Sequence, residues 1–419
     1  MSISAPSPEE PPSWVPGAAG SGFDVDHLPY GVFEGPADGT PRTPRAGVRI
    51  GDRVLDLAGI ASASGAPVAE ALFARPTLNA FLAQGREVWT AVRGWVTELL
   101  TDPARRDQVE PHLHPVDRVT LRLPIEVGDY VDFYASEQHA SNVGRIFRPD
   151  QPPLLPNWKH LPVGYHGRAG TVVVSGTPII RPLGQRNTAD GPVLGPSTRL
   201  DIEAELGFVA GVGSQLGQRV PTAAFAEHTF GVVGLNDWSA RDIQAWESVP
   251  LGPFLGKSFA TSVSAWVTPL DALAAAWCEL PGQDGGPDSP EVLDYLRTDG
   301  PAGLDVDVEV ELNGVVIARP PYQAMYWGPA QMLAHLTLNG ASLRTGDLWG
   351  SGTISGPGPG ELGSLLELSW GWRRPFPVGE ETRTSLVDGD VVTLRYRAPS
   401  TRGGRITLGE VTGEILAAR

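Results

Sequence analysis

The hydrophobic and polar positions of this chain change their pattern near residue 120. Before that point, apolar residues recur first at the spacing of short strands and then at the spacing of a helix. After it, short apolar runs are separated by glycine and proline, of which the chain holds 51 and 40. Many short strands broken by turn residues are typical of a β-rich domain. The pattern therefore predicts a mainly β, α+β protein.

Two local patterns in the first part predict defined elements. Residues 47–57 read as two short strands joined by a turn at Gly51-Asp52. Residues 78–100 have apolar positions at helical spacing, and Asp102-Pro103 would end that helix, because the residue before a proline avoids the helical conformation. The positions that carry the helical pattern are Phe81, Leu82, Val88, Trp89, Val92, Trp95, Val96, Leu99 and Leu100.

The length of the chain indicates more than one core. Its 419 residues exceed the roughly 250 to 300 residues that one hydrophobic core usually holds. With 41% hydrophobic residues and 12 Trp, there is ample apolar surface for a compact fold. We expect a flexible arm, rich in proline, serine and glycine, at residues 1–22, a small domain closed by the helix at 23–119, and a large catalytic domain at 120–419.

The acidic balance of the chain argues against two classes of partner. With 48 acidic and 32 basic residues, the net charge of -16 would repel phosphate backbones and anionic lipid headgroups, so neither nucleic acid nor a membrane is expected. No apolar run is long enough to span a bilayer, and the N-terminus lacks the basic start and apolar core of a secretory signal. Cys278 is the only cysteine, so no intrachain disulfide can form, and we expect a cytoplasmic location.

Residues 201–208 alternate acidic and apolar side chains. Asp201, Glu203 and Glu205 fall on one face of a strand, and the apolar residues fall on the other. The alternation alone favours a solvated acidic face, since antiparallel sheets commonly turn polar residues to water. Residues 305–312 show the same alternation without reactive neighbours, and we predict an exposed strand there. The surrounding residues must therefore decide whether Glu203 and Glu205 hold a cation.

A second acidic segment, residues 132–142, includes side chains of catalytic type. Asp132 and Tyr134 would share a strand face, and Ser136 would cap a helix that carries His139 on its first turn. An isolated histidine is most often structural, so only its neighbours can give His139 a role.

A third acidic segment, residues 236–244, combines an acid with two polar side chains. Arg241 lies one helical turn after Asp237, and Gln244 follows three residues later. Carboxylates without a cysteine or histidine cluster favour a hard cation, Ca²⁺ or Mg²⁺, over zinc, and leave Mn²⁺ open. The four candidate ligands are Asp132, Glu203, Glu205 and Asp237.

These segments resemble the fumarylacetoacetase family. The resemblance begins at residues 28–33 and extends to the C-terminal region, so it covers nearly the whole chain. Motifs of this length and order are highly specific. They lie at residues 129–139, 156–169, 236–244, 250–259 and 352–357.

The resemblance implies a fold and an activity. The fold would be a small N-terminal SH3-like β-barrel domain followed by a large C-terminal mixed β-roll domain, and the protein would be a homodimer. The activity would be metal-dependent hydrolysis of a small diketo acid, 4-fumarylacetoacetate, to fumarate and acetoacetate. That reaction is the last step of tyrosine and phenylalanine breakdown.

The resemblance also implies roles for individual residues. The Ca²⁺ ligands would be Asp132, Glu203, Glu205 and Asp237. A neighbouring Mg²⁺ site would comprise Asp237, Lys257 through its backbone carbonyl, and Thr261. His139 would be the general base, oriented by Glu367, and the oxyanion would be stabilised by Arg241, Gln244 and Lys257. Substrate would be contacted by Tyr134, Arg148, Tyr165, Gln244 and Thr353.

One position departs from the family pattern. Where the family has a substrate-binding tyrosine after Gln-x-Trp-Glu, this chain has Ser248. The hydroxyl is kept, while the reach and the aromatic surface are lost. We therefore expect the departure to affect the range of substrates rather than the class of reaction.

Two other functions are compatible with an acidic metal site. One is a different metal-dependent member of the same superfamily, a decarboxylase, isomerase or hydratase of 2-oxo acids. The other is a non-catalytic β-protein that Ca²⁺ stabilises. Glu367 and the intact segment from His139 to Arg148 favour the hydrolase, because neither alternative explains them.

Overall fold

The first part of the computed structural model is a small antiparallel sheet with helices packed against it. The structure describes residues 12–35, 43–283 and 290–419. The strands of this part are β1 (Tyr30–Glu34), β2 (Arg45–Ile50), β3 (Arg53–Asp56), β4 (Leu113–Pro115) and β5 (Thr120–Arg122). Its helices are α1 (Leu57–Ser64), α2 (Asn79–Leu82), α3 (Arg86–Thr101) and α4 (Arg106–Val109).

The rest of the chain consists mainly of short strands, as the glycine- and proline-broken pattern predicts. The strands are β6 (Tyr130–Phe133), β7 (Gly164–His166), β8 (Val172–Val174), β9 (Ile179–Ile180), β10 (Leu183–Thr188), β11 (Gly191–Pro196), β12 (Leu200–Asp201), β13 (Ala204–Ala210), β14 (Thr229–Asp237), β15 (Ser239–Ala240), β16 (Thr261–Val263), β17 (Trp266–Pro269), β18 (Trp277–Cys278), β19 (Gly303–Leu304), β20 (Asp307–Leu312), β21 (Val315–Ala318), β22 (Leu348–Gly350), β23 (Phe376–Val378), β24 (Glu381–Arg383), β25 (Val391–Pro399) and β26 (Arg405–Leu416). The helices are α5 (Glu137–Phe147), α6 (Phe225–His228), α7 (Arg241–Glu247), α8 (Pro329–Thr337) and α9 (Leu365–Leu368).

One large mixed sheet joins the two parts of the chain. Its main path runs β4-β3-β2-β1-β17-β14-β13-β22-β6-β7, with β5, β8 and β16 attached beside it. Most pairs are antiparallel, while β6 pairs with β22 and β8 with β16 in parallel. A second sheet runs β21-β20-β25-β26-β9. Within the described ranges, the large sheet does not close into a barrel, and the fold is mainly β with helices at the sheet faces and edges.

The middle of the large sheet has an apolar core on each side. Along β14, Val233 and Leu235 join the cluster that includes helix α3, whereas Val232 joins the cluster of the C-terminal part. Every residue of β13 and β14 is buried as a consequence. A strand buried on both faces has no side to turn to water, so its polar residues must be paired inside the protein.

The predicted hairpin is confirmed, and the predicted helix is only partly right. Strands β2 and β3 pair in antiparallel fashion, with Ile50 opposite Arg53 across the Gly51-Asp52 turn. The helix over 78–100 is interrupted: α2 ends at Leu82 and α3 begins at Arg86. The intervening Gly85 has φ +86°, a left-handed conformation that breaks a helix and that glycine adopts readily.

The two acidic alternations differ in burial. In β20, Asp307 is exposed and Glu309 and Glu311 are partly exposed, while the valines between them are buried, which confirms the predicted exposed strand. In residues 201–208, the acidic face is buried as fully as the apolar face, so the solvated face favoured by the alternation alone is wrong there. The reason is that protein donors cover these acids: Arg241 binds Asp201 and Glu203, Lys257 binds Glu203, and the Gly352 N–H binds Glu205. Of the predicted arm, residues 1–11 lie outside the described residues, and Val15 and Ala18 are buried.

None of the helices in the described ranges combines the length and the apolarity that a membrane crossing requires.

Stability is expected to fall in mild acid because of one buried histidine. His27 is fully buried, with Nδ1 3.0 Å from the Gly22 carbonyl oxygen and Nε2 2.9 Å from Thr268 Oγ1. Burial, opposed by the Gly22 bond and helped by the nearby Arg93, lowers the pKa of His27 from 6.5 to about 3. Between those two pH values, His27 is protonated in the unfolded chain but not in the native state. The free energy of unfolding should therefore decrease by up to about 1.4 kcal/mol per pH unit as the pH falls below 6.5.

Urea unfolding at pH 7.5 and pH 5.0 measures this effect. His27→Gln should be less stable than the parent at pH 7.5, because it loses part of the packing and hydrogen bonding. Its loss of stability between the two pH values should nevertheless be smaller by about 2 kcal/mol. Equal losses in the two proteins would show that His27 is not responsible.

Candidate active site

The candidate site forms where neighbouring strands of the large sheet end together. Strands β6, β22, β13 and β14 lie side by side, with Asp132 opposite Gly350 and Glu205 opposite Leu235. Because β6 runs parallel to β22 and antiparallel pairing reverses β13, the ends of β6, β22 and β14 meet the start of β13. Asp132, Glu205 and Asp237 are thereby brought to one edge of the sheet from positions far apart in the chain.

Three of the four predicted carboxylate ligands form a compact group. One oxygen each of Asp132, Glu205 and Asp237 lies within 4.8 Å of the others, and all three side chains are buried. Burial raises the pKa of Asp132 to about 6, against the opposing effect of Arg168. Burial, followed by the negative charges of Asp132 and Asp237, also raises the pKa of Glu205 well above its usual range.

The group fits a divalent cation. The Oε1 atom of Glu205 is buried and has no hydrogen-bond partner within the described residues, while Oε2 accepts a bond from the Gly352 N–H at 3.0 Å. A buried carboxylate oxygen without a donor is costly unless a cation meets it. Oxygen ligands alone suit a hard ion.

The fourth predicted ligand, Glu203, lies beside this group and is bound by two cations. Arg241 Nη2 donates to Glu203 Oε1 at 2.7 Å, and the Lys257 ammonium donates to Oε2. Burial alone would raise the pKa of Glu203, but Arg241 and Lys257 hold it well below its usual range. Glu203 is therefore a charged carboxylate already compensated by protein groups.

The two residues predicted to complete a Mg²⁺ site both contact Asp237. Lys257 Nζ donates to Asp237 Oδ2 at 2.5 Å, and Thr261 Oγ1 donates to Oδ1 at 2.9 Å. The buried ammonium thus bridges Asp237 and Glu203. Of its three N–H donors, one remains for another acceptor.

A histidine-carboxylate pair adjoins the acidic group. Ser136 caps helix α5 by accepting the His139 N–H at 3.1 Å, as predicted. His139 Nδ1 lies 2.7 Å from Glu367 Oε2, and its Nε2 lies 3.8 Å from Glu203 Oε1. A hydrogen on Nδ1 directed at Glu367 leaves a lone pair on Nε2, on the side of the ring near Glu203.

Glu367 is held as a carboxylate by four donors. Besides His139, its oxygens accept hydrogen bonds from Ser355 Oγ at 2.9 Å, Ser364 Oγ at 2.8 Å and Asn142 Nδ2 at 2.9 Å. Burial would raise the pKa of Glu367, but His139 and these hydrogen bonds lower it. The carboxylate is thus fixed in charge and in direction, and it orients the imidazole.

Arg241 is anchored differently from the sequence expectation. Asp237 ends strand β14 and Arg241 begins helix α7, so the two residues are not one turn apart on a single helix. Arg241 Nε donates to Asp201 Oδ2 at 2.8 Å, and its Nη1 donates to Gln244 Oε1 at 3.2 Å. With its oxygen engaged, the Gln244 amide is left with its N–H groups as donors.

Sequence reasoning missed two charged residues of this site. Asp201 also accepts the Leu365 N–H at 2.7 Å, so it ties the start of helix α9 to Arg241. Arg168 Nη2 donates to Asp132 Oδ2 at 3.0 Å and to Asp237 Oδ2 at 2.5 Å. Both residues lie inside segments that the sequence analysis considered. Only the burial of a charged side chain identifies them, because charged residues are rarely buried without a partner.

A cavity of about 560 Å³ opens onto the acidic group and the histidine. The residues predicted to contact substrate all line it, and they are Tyr134, Arg148, Tyr165, Gln244 and Thr353. Thr353 Oγ1 and Arg148 Nε are buried without a hydrogen-bond partner among the described residues, so each has capacity for a ligand. Ser248 also lines the cavity. Apolar residues also line the cavity, among them Val143, Phe147, Val249, Pro253 and Leu366.

Comparison with known proteins gives consistent matches along the chain. Residues 26–124 match the family described as Fumarylacetoacetase N-terminal, and residues 130–415 match Fumarylacetoacetate (FAA) hydrolase C-terminal. The fumarylacetoacetases of Homo sapiens and Bos taurus are 45% and 46% identical to this chain, over 97% of its length and 99% of each relative.

A solved structure has the same fold at low sequence identity. The fumarylacetoacetate hydrolase of Exiguobacterium antarcticum aligns over 93% of this chain and 99% of its own, with a TM-score of 0.55 and 18% identity. On the two family matches and the close relatives, the chain belongs to the fumarylacetoacetase family.

Proposed function

We propose that this protein hydrolyses the carbon-carbon bond of 4-fumarylacetoacetate to give fumarate and acetoacetate, the last step of tyrosine and phenylalanine catabolism. The observation that carries the proposal is a single cavity in which a carboxylate-oriented histidine, an acidic group and two buried cations meet. Relatives called fumarylacetoacetase, at about 45% identity over nearly their full length, support the same activity.

The cation proposed for the acidic group is Ca²⁺ or Mg²⁺, with Mn²⁺ as a further candidate. Asp132, Glu205 and Asp237 would hold it, with Glu203 beside them and Thr261 and the Lys257 backbone carbonyl completing a second position. The unpartnered Glu205 Oε1 and the all-oxygen donor set support this assignment. When bound, the ion would act as a Lewis acid on the β-diketo oxygens. The departing carbon could then leave as a stabilised enolate.

The histidine pair would activate water. Nε2 of His139 takes a proton from water, because Nδ1 carries the other hydrogen and donates it to the Glu367 carboxylate. The water oxygen then attacks the carbonyl next to the alkene, and the protonated imidazole can return the proton to the departing carbon. Glu367 stabilises the imidazolium between these transfers through the same 2.7 Å contact.

Three side chains would stabilise the oxyanion that this attack creates. Lys257 has one N–H left after Asp237 and Glu203, and Gln244 presents its amide N–H groups. Arg241 adds positive charge and holds Gln244 in place. Loss of one such donor typically lowers the rate by about 10² to 10³. Arg148, at the cavity wall, would bind a substrate carboxylate, for which the guanidinium is well suited.

The remaining features of the proposal concern organisation. We propose an arm at 1–22, an SH3-like unit at 23–119 and a catalytic β-roll domain at 120–419, assembled as a cytoplasmic homodimer without nucleic-acid or membrane partners. The division is supported by two family matches that separate between residues 124 and 130. The order β4-β3-β2-β1-β5 of the N-terminal strands is compatible with an SH3-like unit.

A turnover assay on fumarylacetoacetate tests the proposed function. The enol absorbance should disappear while fumarate and acetoacetate accumulate in equal amounts, and chelation should stop the reaction until Ca²⁺ or Mg²⁺ is restored. Release of carbon dioxide, or loss of absorbance without two acid products, would instead indicate a decarboxylase, isomerase or hydratase. Absence of turnover on this substrate and on shorter acylpyruvates would overturn the proposal.

Ser248 is expected to widen the range of acyl groups. Its hydroxyl donates to the Gln244 carbonyl oxygen one helical turn earlier, so it is engaged with the backbone rather than with a ligand. Ser248→Ala should therefore change kcat/KM by less than about twofold. Ser248→Tyr should place a ring in the cavity and lower kcat/KM for branched acylpyruvates by about tenfold relative to fumarylacetoacetate. Equal effects on both substrates would contradict this.

A further inference from the structure

Arg168 is a buried cation that shares its contacts between the acidic group and the cavity wall. It follows strand β7, and only 5% of its side chain is exposed. One nitrogen, Nη2, donates to Asp132 and Asp237, and the other, Nη1, donates to the Tyr165 hydroxyl at 3.0 Å. The guanidinium carbon lies 4.9 Å from the centre of the Tyr130 ring and 5.3 Å from that of Tyr165. None of the roles proposed above uses this residue.

We propose that Arg168 is a positioning residue with two separable effects. Its charge limits the affinity of the acidic group for a divalent cation. Its guanidinium fork, Nη1 and Nη2, makes the Tyr165 hydroxyl a hydrogen-bond donor to substrate. The first effect depends only on the acidic group. The second rests on the proposed function.

The direction of the first effect follows from two opposing contributions. A donor that orients a metal-binding carboxylate typically improves metal affinity by about 10- to 100-fold. A positive charge that hydrogen-bonds a ligand oxygen would lie within about 6 Å of an ion bound to that oxygen. At an effective dielectric of about 20, its repulsion would lower the affinity for a divalent cation by about 10³-fold or more. The repulsion is the larger contribution, so Arg168 weakens cation binding overall.

The second effect follows from the donors available to each group. A guanidinium has only N–H donors, so in the 3.0 Å contact the Tyr165 oxygen must accept. The phenol hydrogen then points elsewhere, and Tyr165 lines the cavity. A keto or carboxylate oxygen of the substrate is the acceptor that such a donor suits. Because the fork is planar and rigid, the same group fixes the carboxylates and the phenol together.

Three variants separate the two effects. Arg168→Gln removes the charge and the fork, Arg168→Lys keeps the charge but cannot make both sets of contacts, and Tyr165→Phe removes only the hydroxyl. Arg105→Gln, which breaks an exposed pair with Glu98 at the surface, is the matched control. Each full-length protein is stripped of metal by dialysis and titrated calorimetrically with CaCl₂ and with MgCl₂ in the absence of substrate. Steady-state kinetics on fumarylacetoacetate follow at saturating Ca²⁺.

The expected pattern is opposite for binding and turnover. Of Ca²⁺ and Mg²⁺, Arg168→Gln should bind the ion that the parent prefers at least tenfold more tightly than the parent does. Its kcat/KM should nevertheless be at least tenfold lower. Arg168→Lys should keep the parental ion affinity within about threefold and lose kcat/KM mainly through KM. Tyr165→Phe should raise KM similarly with no change in ion affinity, and adding it to Arg168→Lys should cost little more.

Other outcomes overturn the inference in identifiable ways. Weaker ion binding by Arg168→Gln would show that Arg168 serves to build the site rather than to limit its affinity. If Arg168→Gln does not fold, a large change of ion affinity in Arg168→Lys overturns the charge effect in the same way. No ion binding by the parent protein overturns the first effect, whereas binding without turnover of fumarylacetoacetate overturns the proposed function and leaves the first effect tested.

Discussion

His139→Ala is expected to lower kcat on fumarylacetoacetate by about 10³-fold or more, while the fold and the Ca²⁺ content stay at the parental level. General acid-base groups typically contribute 10² to 10⁴ in rate, and His139 is the proposed base, with Nδ1 2.7 Å from the Glu367 carboxylate. Its Nε2 is 3.8 Å from Glu203, and His139 is not a member of the group Asp132, Glu205 and Asp237 that could hold a cation. Turnover, circular dichroism and metal analysis of one preparation measure all three properties.

Two further variants serve as the control and as the test of how His139 is oriented. His160→Ala removes an exposed histidine of the same motif-rich region and should retain parental turnover. Glu367→Gln replaces the acceptor of the Nδ1 hydrogen with an amide, which favours the wrong tautomer and should cost about 10² to 10⁴ in kcat. Added imidazole should partly restore His139→Ala, because the missing base could enter the space left behind. Near-parental turnover of His139→Ala without imidazole would remove His139 as the base.

Local elements of this chain were largely predictable because their causes are local. The β2-β3 hairpin follows from a turn sequence between two short apolar runs, and the Ser136 cap follows from a serine before a helical pattern. The break of the long helix was missed, because apolar residues on both sides of Gly85 continue the helical spacing. Gly85 itself was the one local sign of the interruption.

Burial, in contrast, depends on what the rest of the chain places on each side of a strand. The acids of β20 and those of residues 201–208 have the same alternation, yet the former are at least partly exposed and the latter are buried against Arg241, Lys257 and backbone N–H groups. A period of two identifies the two faces of a strand but not their surroundings. Only the motifs around Glu203 and Glu205 distinguished the two cases.

The predicted site residues lie close together in the structure, but most of their contacts with one another were not predicted. All the predicted residues gather around one cavity or the carboxylates behind it. The contacts of Arg168 with Asp132 and Asp237 join residues 36 and 69 positions apart, and no spacing rule reaches that far. The resemblance implied which residues have a role, whereas only the three-dimensional contacts show which protein cation is paired with which carboxylate.

Glu205→Gln is expected to abolish the effect of divalent ions on both stability and turnover. Of the grouped carboxylates, Asp132 and Asp237 have cationic partners in Arg168 and Lys257, while Glu205 has only the Gly352 N–H. Among the described residues, Glu205 is therefore the carboxylate of this group without a direct ion pair to a protein cation. Its amide analogue keeps the size and can still accept from Gly352. Turnover should fall by at least about 10²-fold.

Thermal and urea unfolding with and without CaCl₂ separate this loss from damage to the fold. The parent should gain about 2.7 kcal/mol at a Ca²⁺ concentration 100 times its Kd, and Glu205→Gln should gain nothing. In EDTA the variant should be at least as stable as the parent, because a buried carboxyl crowded by Asp132 and Asp237 is replaced by a neutral group. Glu309→Gln, on the partly exposed face of β20, should keep the full gain. An undiminished gain in Glu205→Gln would mean that the ion binds elsewhere, and the acidic group would then need another explanation for its unpaired oxygen.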